Sequence, residues 1–231
     1  MKLKKLVIAI DGPAASGKSS TARLAAARLG YLHIDTGAMY RAVALKVLQE
    51  NVSLTDREGI SRLVEGTNIR LEPKGGETSI FLDERDVTKA IRGRAVTNAA
   101  SAVSGVKRVR EVMVREQRKM GEKGGIVLEG RDIGTVVFPD ADLKIFMVAN
   151  VNERARRRQR ELREQGTEVD LDSLRNEIIG RDRQDSERDI SPLKKADDAV
   201  VLDTSEMKFD EQVEYIVNMA KEILRRREKG A

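Results

Sequence analysis

The stretch Leu6–Ser20 reads LVIAIDGPAASGKSS: an apolar run, a loop bounded by Gly12 and Gly17, and a Lys-Ser pair. The apolar run predicts a buried strand, and the residues after Gly17 predict a helix. Glycines let a backbone turn so that successive N–H groups face one anion, and the start of a helix adds its positive end. The stretch therefore predicts a strand, a phosphate-binding loop and a helix, which together indicate a nucleoside triphosphate site.

The Lys-Ser pair at the end of this loop predicts the contacts with the triphosphate. Lys18 is expected to reach the β- and γ-phosphates, and the Ser19 hydroxyl is expected to ligate a bridging Mg²⁺ ion. Because strand, loop and helix follow in the order that the motif requires, we favour phosphate binding over a plain glycine-containing turn. The residues expected to surround the triphosphate are Gly12, Pro13, Ala14, Ala15, Ser16, Gly17, Lys18, Ser19 and Ser20.

The composition is that of a globular protein of 231 residues, with 40% hydrophobic and 35% charged residues. The absence of cysteine excludes a disulfide framework, and a single histidine makes a zinc site improbable. The basic start Met1–Lys5 is followed by only five apolar residues before Asp11, fewer than a signal peptide requires. No stretch is long enough to span a membrane. We therefore expect a cytoplasmic protein without membrane association.

The charge balance indicates an anionic partner. The chain has 43 Lys plus Arg against 38 Asp plus Glu, a net charge of +5. Only 3% of its residues are aromatic, which argues against a surface that stacks nucleic-acid bases. Small nucleotides are therefore the expected partners, rather than nucleic acid.

Apolar runs and helical patterns alternate along most of the chain, which predicts an α/β fold with a doubly wound parallel sheet. Between the runs, Ala38–Gln49 and Val106–Met120 carry apolar residues at helical spacing. The five runs expected to form the sheet are Leu6–Ile10, Tyr31–Ile34, Ile126–Leu128, Leu143–Val148 and Val200–Leu202.

Two segments interrupt this alternation. Residues 67–103 are expected to form an inserted subdomain, because Asn68–Glu72 and Thr78–Asp83 read as a hairpin joined by Pro73–Glu77. Residues 152–167 are rich in arginine and have almost no apolar face, which predicts a segment outside the core. We interpret it as a mobile lid over phosphates, with a solvated helix of Glu-Arg pairs as the alternative. The core would then comprise residues 1–66 and 104–231.

Charged residues follow two other predicted strands, at the edge where ligands collect in open α/β sheets. After the second strand, Thr36 is expected to cap a helix, and Arg41 to reach back to an anion or lie on the surface. After the third strand, Arg131 and Asp132 offer a phosphate fork and an acceptor for an amino or hydroxyl group, or else pair with one another.

Residues 181–188 carry a further charged pattern. Arg181, Asp185 and Arg188 are spaced to share one helical face. The pattern alone indicates surface ion pairs, and beside the other sites it indicates a second wall of an anion pocket.

The sequence offers no obvious general base. His33, the only histidine, lies within a predicted strand and is interpreted as a packed or hydrogen-bonded residue. A phosphate monoester has a second pKa of about 6, so its oxygen is already ionised at neutral pH. The lack of a base therefore favours a phosphate acceptor over an alcohol.

Taken together, these residues resemble the bacterial cytidylate kinase family over nearly the whole chain. The resemblance implies a P-loop kinase fold in three layers, with a five-stranded parallel sheet, an inserted monophosphate-binding subdomain and an arginine-rich lid. It also implies transfer of phosphate from ATP, with Mg²⁺, to CMP or dCMP. A monomer is expected from the same resemblance, since no exposed apolar stripe is evident. The stretches that carry the resemblance are Ile10–Ser19, Asp35–Arg41, Ala100–Ser104, Val109–Arg110, Glu129–Ala141 and Arg181–Arg188.

The same resemblance implies a role for each site residue. Ser101, Arg110 and Asp132 would contact cytosine, Arg181 and Asp185 the ribose, and Arg41, Arg131 and Arg188 the acceptor phosphate. Arg154, Arg157 and Arg158 are the implied lid contributors, with Arg157 assigned to ATP. The residues implied to bind CMP are Thr36, Arg41, Ser101, Arg110, Arg131, Asp132, Arg181, Asp185 and Arg188, and those implied to be catalytic are Lys18, Arg131, Asp132, Arg157 and Arg188.

Two features leave alternatives open. Thr36 stands where the family often has serine, and three consecutive arginines in the lid leave open which one reaches the transferring phosphate.

Two alternative functions remain open. A P-loop kinase for UMP, AMP or an alcohol is the alternative within the class. A nucleotide-switched, nucleic-acid-binding ATPase is the alternative from another class.

Overall fold

Eight strands and eight helices form the fold in a computed structural model that describes residues 5–74, 77–164 and 166–229. In chain order the strands are β1 (Val7–Asp11), β2 (Leu32–Asp35), β3 (Ile69–Lys74), β4 (Glu77–Leu82), β5 (Arg85–Asp86), β6 (Ile126–Gly130), β7 (Leu143–Val148) and β8 (Val200–Asp203). The helices are α1 (Lys18–Leu29), α2 (Thr36–Gln49), α3 (Arg57–Glu65), α4 (Arg94–Ser104), α5 (Lys107–Gly121), α6 (Val151–Glu164), α7 (Leu171–Glu187) and α8 (Phe209–Lys229). Short 3₁₀ and π-helical turns follow at Ala90–Arg92 and Ile133–Val137.

The central sheet has five parallel strands in the order β2-β6-β1-β7-β8, which confirms the five predicted strands and the α/β class. Strand β1 lies in the middle, and its residues Ile8, Ala9 and Ile10 are fully buried. Its last residue, Asp11, lies opposite Gly130 at the end of β6. The loops that follow β1 and β6 therefore leave the sheet side by side, at its carboxyl edge.

Helices cover both faces of this sheet in a three-layer arrangement. On one face, the small residues Ala22 and Ala25 of α1 pack with Val213 and Ile216 of α8. The other face holds a larger core built from α2, α4 and α5 together with β2 and β6. The near-continuous apolar strands predicted from the sequence are those of a sheet buried on both faces.

The predicted hairpin is confirmed as β3 and β4, which pair antiparallel and are extended by β5. Gly75 and Gly76 of the predicted turn lie outside the described residues. The apolar side of this small sheet, including Ile80 and Leu82, packs into the same core as α2 and α4. The inserted sheet thus shares its hydrophobic core with the main body.

The arginine-rich segment forms α6, and the prediction that it lies outside the core is wrong in part. Ala155 of α6 is fully buried against Leu174 and Ile178 of α7. The helix therefore docks by a narrow apolar contact, while most of its arginines remain at the surface. Gln165, within the predicted lid, lies outside the described residues. Across the described part of the chain, no helix is both long and apolar enough to cross a bilayer.

Candidate active site

The loop between β1 and α1, residues Gly12–Ser19, is called the phosphate loop below. Its backbone requires glycine at Gly12, where φ is 150° and an added Cβ would lie 2.0 Å from the carbonyl oxygen of Met147. Gly17 caps the start of α1 with a φ of 94°. Such positive φ values are accessible to glycine and costly for other residues, so the local sequence determines the curvature of the loop.

Lys18 is buried inside the curve of the phosphate loop. Its Nζ donates to the carbonyl oxygen of Pro13 at 2.6 Å and to Oγ of Ser16 at 3.3 Å. Burial, reinforced by the nearby positive charge of Arg131, lowers the pKa of Lys18 to about 7. A triphosphate in the loop would restore the charge, because an adjacent anion favours the protonated amine.

We expect the binding of a magnesium-bound, non-hydrolysable triphosphate at pH 8 to take up close to one proton, and less at pH 6. The sign follows because free Lys18 is largely neutral at pH 8 and becomes charged beside phosphate. Calorimetry in two buffers with different ionisation enthalpies measures this uptake. The Lys18→Met variant should show none at pH 8, and equal uptake by the two proteins would contradict the assignment to Lys18.

The Ser19 hydroxyl points toward the end of β6. It donates to Oε2 of Glu129 at 2.7 Å, and Oε1 of the same carboxylate lies 3.4 Å from Nε2 of His33. Mg²⁺ in nucleotide sites is bound by few protein oxygens together with phosphates and water. Among the described residues no group of three or more acidic, histidine or cysteine side chains could hold a metal. The Ser19 hydroxyl and the Glu129 carboxylate are oxygen donors of the kind that Mg²⁺ prefers.

Charged side chains from α5, from the segment after β6 and from α7 with its C-terminal end meet beside the phosphate loop in what we call the arginine–aspartate cluster. They are Arg110 on α5, Arg131 and Asp132 after β6, Arg181 and Asp185 on α7, and Arg188 at the end of α7. Arg110 pairs with Asp132, and Nε of Arg131 lies 2.8 Å from Oδ2 of Asp185. Arg188 lies 3.9 Å from a carboxylate oxygen of each aspartate. Arg131 and Asp132 therefore pair with other residues of the cluster. The alternative in which these two side chains pair with one another is wrong.

This cluster has four guanidinium groups and two carboxylates, which leaves an excess of positive charge. Burial and the neighbouring Arg131 lower the pKa of Arg181 to about 10. Although burial acts in the opposite direction, Arg131 holds the pKa of Asp185 below its usual range. Nε of Arg181 and Nη2 of Arg188 are buried without a hydrogen-bond partner. Unsatisfied buried guanidinium N–H groups indicate a site for an anion.

Three other predicted site residues lie on α2 and α4. Arg41 donates through Nη2 to Oδ2 of Asp35 at 2.8 Å. Ser101 lies on α4, and its carbonyl oxygen accepts from the Ser104 hydroxyl. The carbonyl oxygen of Ser104 in turn accepts from Nη1 of Arg110 at 3.4 Å. Thr36 is buried at the start of α2.

Two expectations about helix ends are wrong. Thr36 does not cap α2: the carboxylate of Asp35 accepts from the N–H of Ala38, while the Thr36 hydroxyl donates to the carbonyl oxygen of Glu129 at 2.6 Å. Arg188 does not lie on the face of α7, because the helix ends at Glu187 and Arg188 is extended. Its Nε donates to the carbonyl oxygen of Ser191 at 2.6 Å, which still directs the side chain into the cluster.

The arginines of α6 differ in their contacts. Arg154 donates to the carbonyl oxygen of Ala14 and to Asp182, at 3.2 and 2.6 Å. Arg157 donates to the carbonyl oxygen of Ser16 at 3.1 Å and to the hydroxyl of Thr204 at 3.0 Å. Arg158 instead pairs with Glu161 on its own helix. Two of the three therefore contact the phosphate loop or its surroundings.

Sequence reasoning assigned no role to three residues that the structure brings to the site. Glu129 is buried beside Ser19, and Asp11 accepts from the backbone N–H groups of Ile133 and Gly134. Tyr40 packs against Arg110, with the guanidinium carbon 5.3 Å from the ring centre. Glu129 could have been found as an acidic residue at the end of a predicted strand. Its contact with Ser19 could not, because the sequence does not show that β6 lies next to β1.

A phosphate loop at the edge of a parallel sheet, with an arginine-lined anion site beside it, defines the class: a P-loop phosphotransferase. The cytidylate kinase family model matches residues 8–222. The chain is 50% identical to a cytidylate kinase from Bacillus pumilus, covering 94% of this chain and 96% of that protein. It is 48% identical to one from Exiguobacterium sibiricum, covering 96% and 100%. The chain therefore belongs to the cytidylate kinase family.

One solved structure of similar fold is much more distant in sequence. It is an uncharacterised protein from Eubacterium ventriosum, with a TM-score of 0.50 and 12% identity, covering 94% of this chain and 99% of that one. This similarity concerns the fold alone.

Proposed function

We propose that the enzyme transfers the γ-phosphoryl group of ATP to the phosphate of CMP or dCMP, giving ADP and CDP or dCDP. The observation that carries the proposal is the arginine–aspartate cluster, which combines excess positive charge with a buried carboxylate at Asp132. The excess charge suits a phosphate, and the carboxylate suits an amino group on a base. Membership of the cytidylate kinase family supports the choice of CMP.

In this proposal the cluster and the phosphate loop act on one transferring group. Arg131 and Arg181 both act electrostatically on Lys18, which requires that they lie near it. In the proposed reaction an oxygen of the CMP phosphate forms a bond to the γ-phosphorus. The bond between that phosphorus and the oxygen bridging it to the β-phosphate breaks, leaving ADP.

Catalysis would then depend on charge and position. Lys18 would hold the β- and γ-phosphates, while Arg131 and Arg188 would hold the acceptor phosphate, each favouring the charge distribution of the transition state. Arg157, above the phosphate loop, would contribute from the ATP side. Ser19, with Glu129 beside it, would hold Mg²⁺, which supplies neutralisation of phosphate charge. The acceptor oxygen is already ionised at neutral pH, so no residue need remove a proton.

Recognition of the base would rest on Asp132. Cytosine presents an amino donor where uracil presents a carbonyl oxygen, so a carboxylate accepts from the first and repels the second. Arg110, which pairs with Asp132, and Ser101 on α4 would add contacts to the base. Arg181 and Asp185 would contact the sugar, either ribose or deoxyribose.

The other expected features extend the proposal. Residues 67–103 would act as the monophosphate-binding subdomain, between core segments 1–66 and 104–231, and α6 with its flanking residues 152–167 would act as the lid. We further propose a cytoplasmic monomer that uses small nucleotides and binds neither nucleic acid nor membranes. Sedimentation at several protein concentrations tests the monomer.

An acceptor panel tests the proposed function. ADP formation should be fast with CMP and dCMP, at least about tenfold slower with UMP, and near background with AMP, shikimate or no acceptor. A preference for UMP, AMP or shikimate would replace the proposed substrate. Hydrolysis that is independent of acceptor would indicate the ATPase alternative, and the test for it is salt-dependent binding to nucleic acid.

A further inference from the structure

The π-helical turn Ile133–Val137 follows directly after Asp132, whose carbonyl oxygen accepts hydrogen bonds from it. The carbonyl oxygen of Asp132 accepts from the N–H groups of Val136 and Val137, at 2.9 and 3.2 Å. The second of these bonds spans five residues, and such π-type hydrogen bonds are rare and often lie at functional sites. The position of the Asp132 backbone is therefore tied to the position of the turn.

Charged side chains from two other elements hold this turn at its ends. At the start, the Asp11 carboxylate accepts from the N–H groups of Ile133 and Gly134, at 2.8 and 2.7 Å. At the end, Arg118 on α5 donates from Nε to the carbonyl oxygen of Val137 at 2.9 Å and from Nη2 to that of Val136 at 2.8 Å. An anion at exposed N–H groups and a cation at exposed carbonyl groups match the direction of the backbone dipoles.

The two charged residues differ in their surroundings. Asp11 is 5% exposed, and burial raises its pKa to about 6, so its position is costly for a carboxylate. It also ends β1, directly before the phosphate loop. Arg118 lies at the surface, about 12 Å along α5 from Arg110. Its fork bridges two successive carbonyl oxygens, a geometry that few other side chains provide.

We propose that Asp11 and Arg118 are positioning residues for Asp132, which hold the π-helical turn so that the Asp132 carboxylate meets the amino group of the base. The inference rests on the proposed function. It extends that function to a surface residue on α5, which would influence the choice of base from outside the site. Asp11 would join the same turn to the strand that carries the phosphate loop.

The test compares Arg118→Gln with Arg115→Gln on the same helix. Arg115 is exposed and its ion pair in the described structure is with the adjacent Glu116, so its variant controls for loss of a surface charge on α5. We expect Arg118→Gln to raise the KM for CMP about tenfold, and to reduce the ratio of kcat/KM for CMP over UMP by a similar factor. The KM for ATP should change less than about twofold, and Arg118→Lys should restore part of the loss. Arg115→Gln should leave all three values unchanged.

Two outcomes would overturn the inference. One is an Arg118→Gln enzyme whose CMP-to-UMP ratio equals that of Arg115→Gln. The other is an Arg118→Gln enzyme that melts at a lower temperature but keeps the wild-type ratio of kcat/KM for CMP over UMP, which would limit Arg118 to a structural role. Asp11→Asn gives a second test, with the same expected loss of the ratio. A wild-type enzyme that does not prefer CMP would instead contradict the proposed function, so the two failures are distinguishable.

Discussion

Replacing Lys18 with methionine should reduce kcat by about 10³-fold without lowering the melting temperature. The loss of rate follows because Lys18 would stabilise charge that develops on the transferring phosphoryl group, and loss of one such donor costs about 10²–10³-fold. Stability should be retained because a buried amine of lowered pKa is unfavourable for the unliganded fold, and methionine fills similar space without a charge. Steady-state kinetics with CMP and a thermal melt measure both effects.

The matched control for this variant is Lys195→Met, which removes an amine outside the phosphate loop. Lys195 donates to the carbonyl oxygens of Ala196 and Asp197 after α7, so kcat should stay near the wild-type value. If Lys18→Met retains more than about a tenth of the wild-type kcat, the mechanism proposed for the phosphate loop is wrong.

Replacing Asp132 with asparagine should reduce kcat/KM for CMP by about 10²–10³-fold, while the Kd for ATP stays within about twofold of wild type. The amide retains the volume of the carboxylate but loses its charge, and its N–H₂ group is a donor facing a donor on cytosine. The variant should also lose selectivity against UMP. An acceptor panel together with equilibrium ATP binding measures the separation.

Two measurements distinguish recognition from folding in this variant. Asp132 pairs with buried Arg110, and weakening a buried pair costs up to about 3–5 kcal/mol, so a lower melting temperature is expected as well. As a control, substitution of the exposed Asp140, Asp140→Asn, should change neither activity nor stability. Equal loss of CMP turnover and ATP binding in Asp132→Asn would remove Asp132 from base recognition.

The phosphate loop and the parallel strands were predictable because their determinants are local. Gly12 and Gly17 adopt positive φ within a few residues of Lys18, and the buried strands are short apolar runs. The hairpin was predictable for the same reason, from alternating residues on either side of a turn. These patterns do not depend on the order of strands in the sheet.

The remaining features arise from long-range packing. Ser19 meets Glu129 because β6 lies next to β1, although the two residues are 110 positions apart. The prediction that Thr36 caps α2 was wrong because Asp35 and Thr36 are adjacent and either can cap a helix. The carbonyl oxygen of Glu129, on the adjacent strand β6, accepts from the Thr36 hydroxyl, so Asp35 forms the cap. Arg118 gives no signal in the sequence, since it reads as a surface helix residue. Such contacts become visible only when the fold brings the elements together.

The central claim is that this enzyme moves a phosphoryl group from ATP to the phosphate of CMP. Phosphorus NMR of a mixture of enzyme, Mg²⁺, ATP and CMP tests it most directly. Transfer to CMP should make the β-phosphate signals of CDP and ADP rise together in equal amounts while inorganic phosphate stays at background. Accumulation of ADP and inorganic phosphate with CMP unchanged would contradict it.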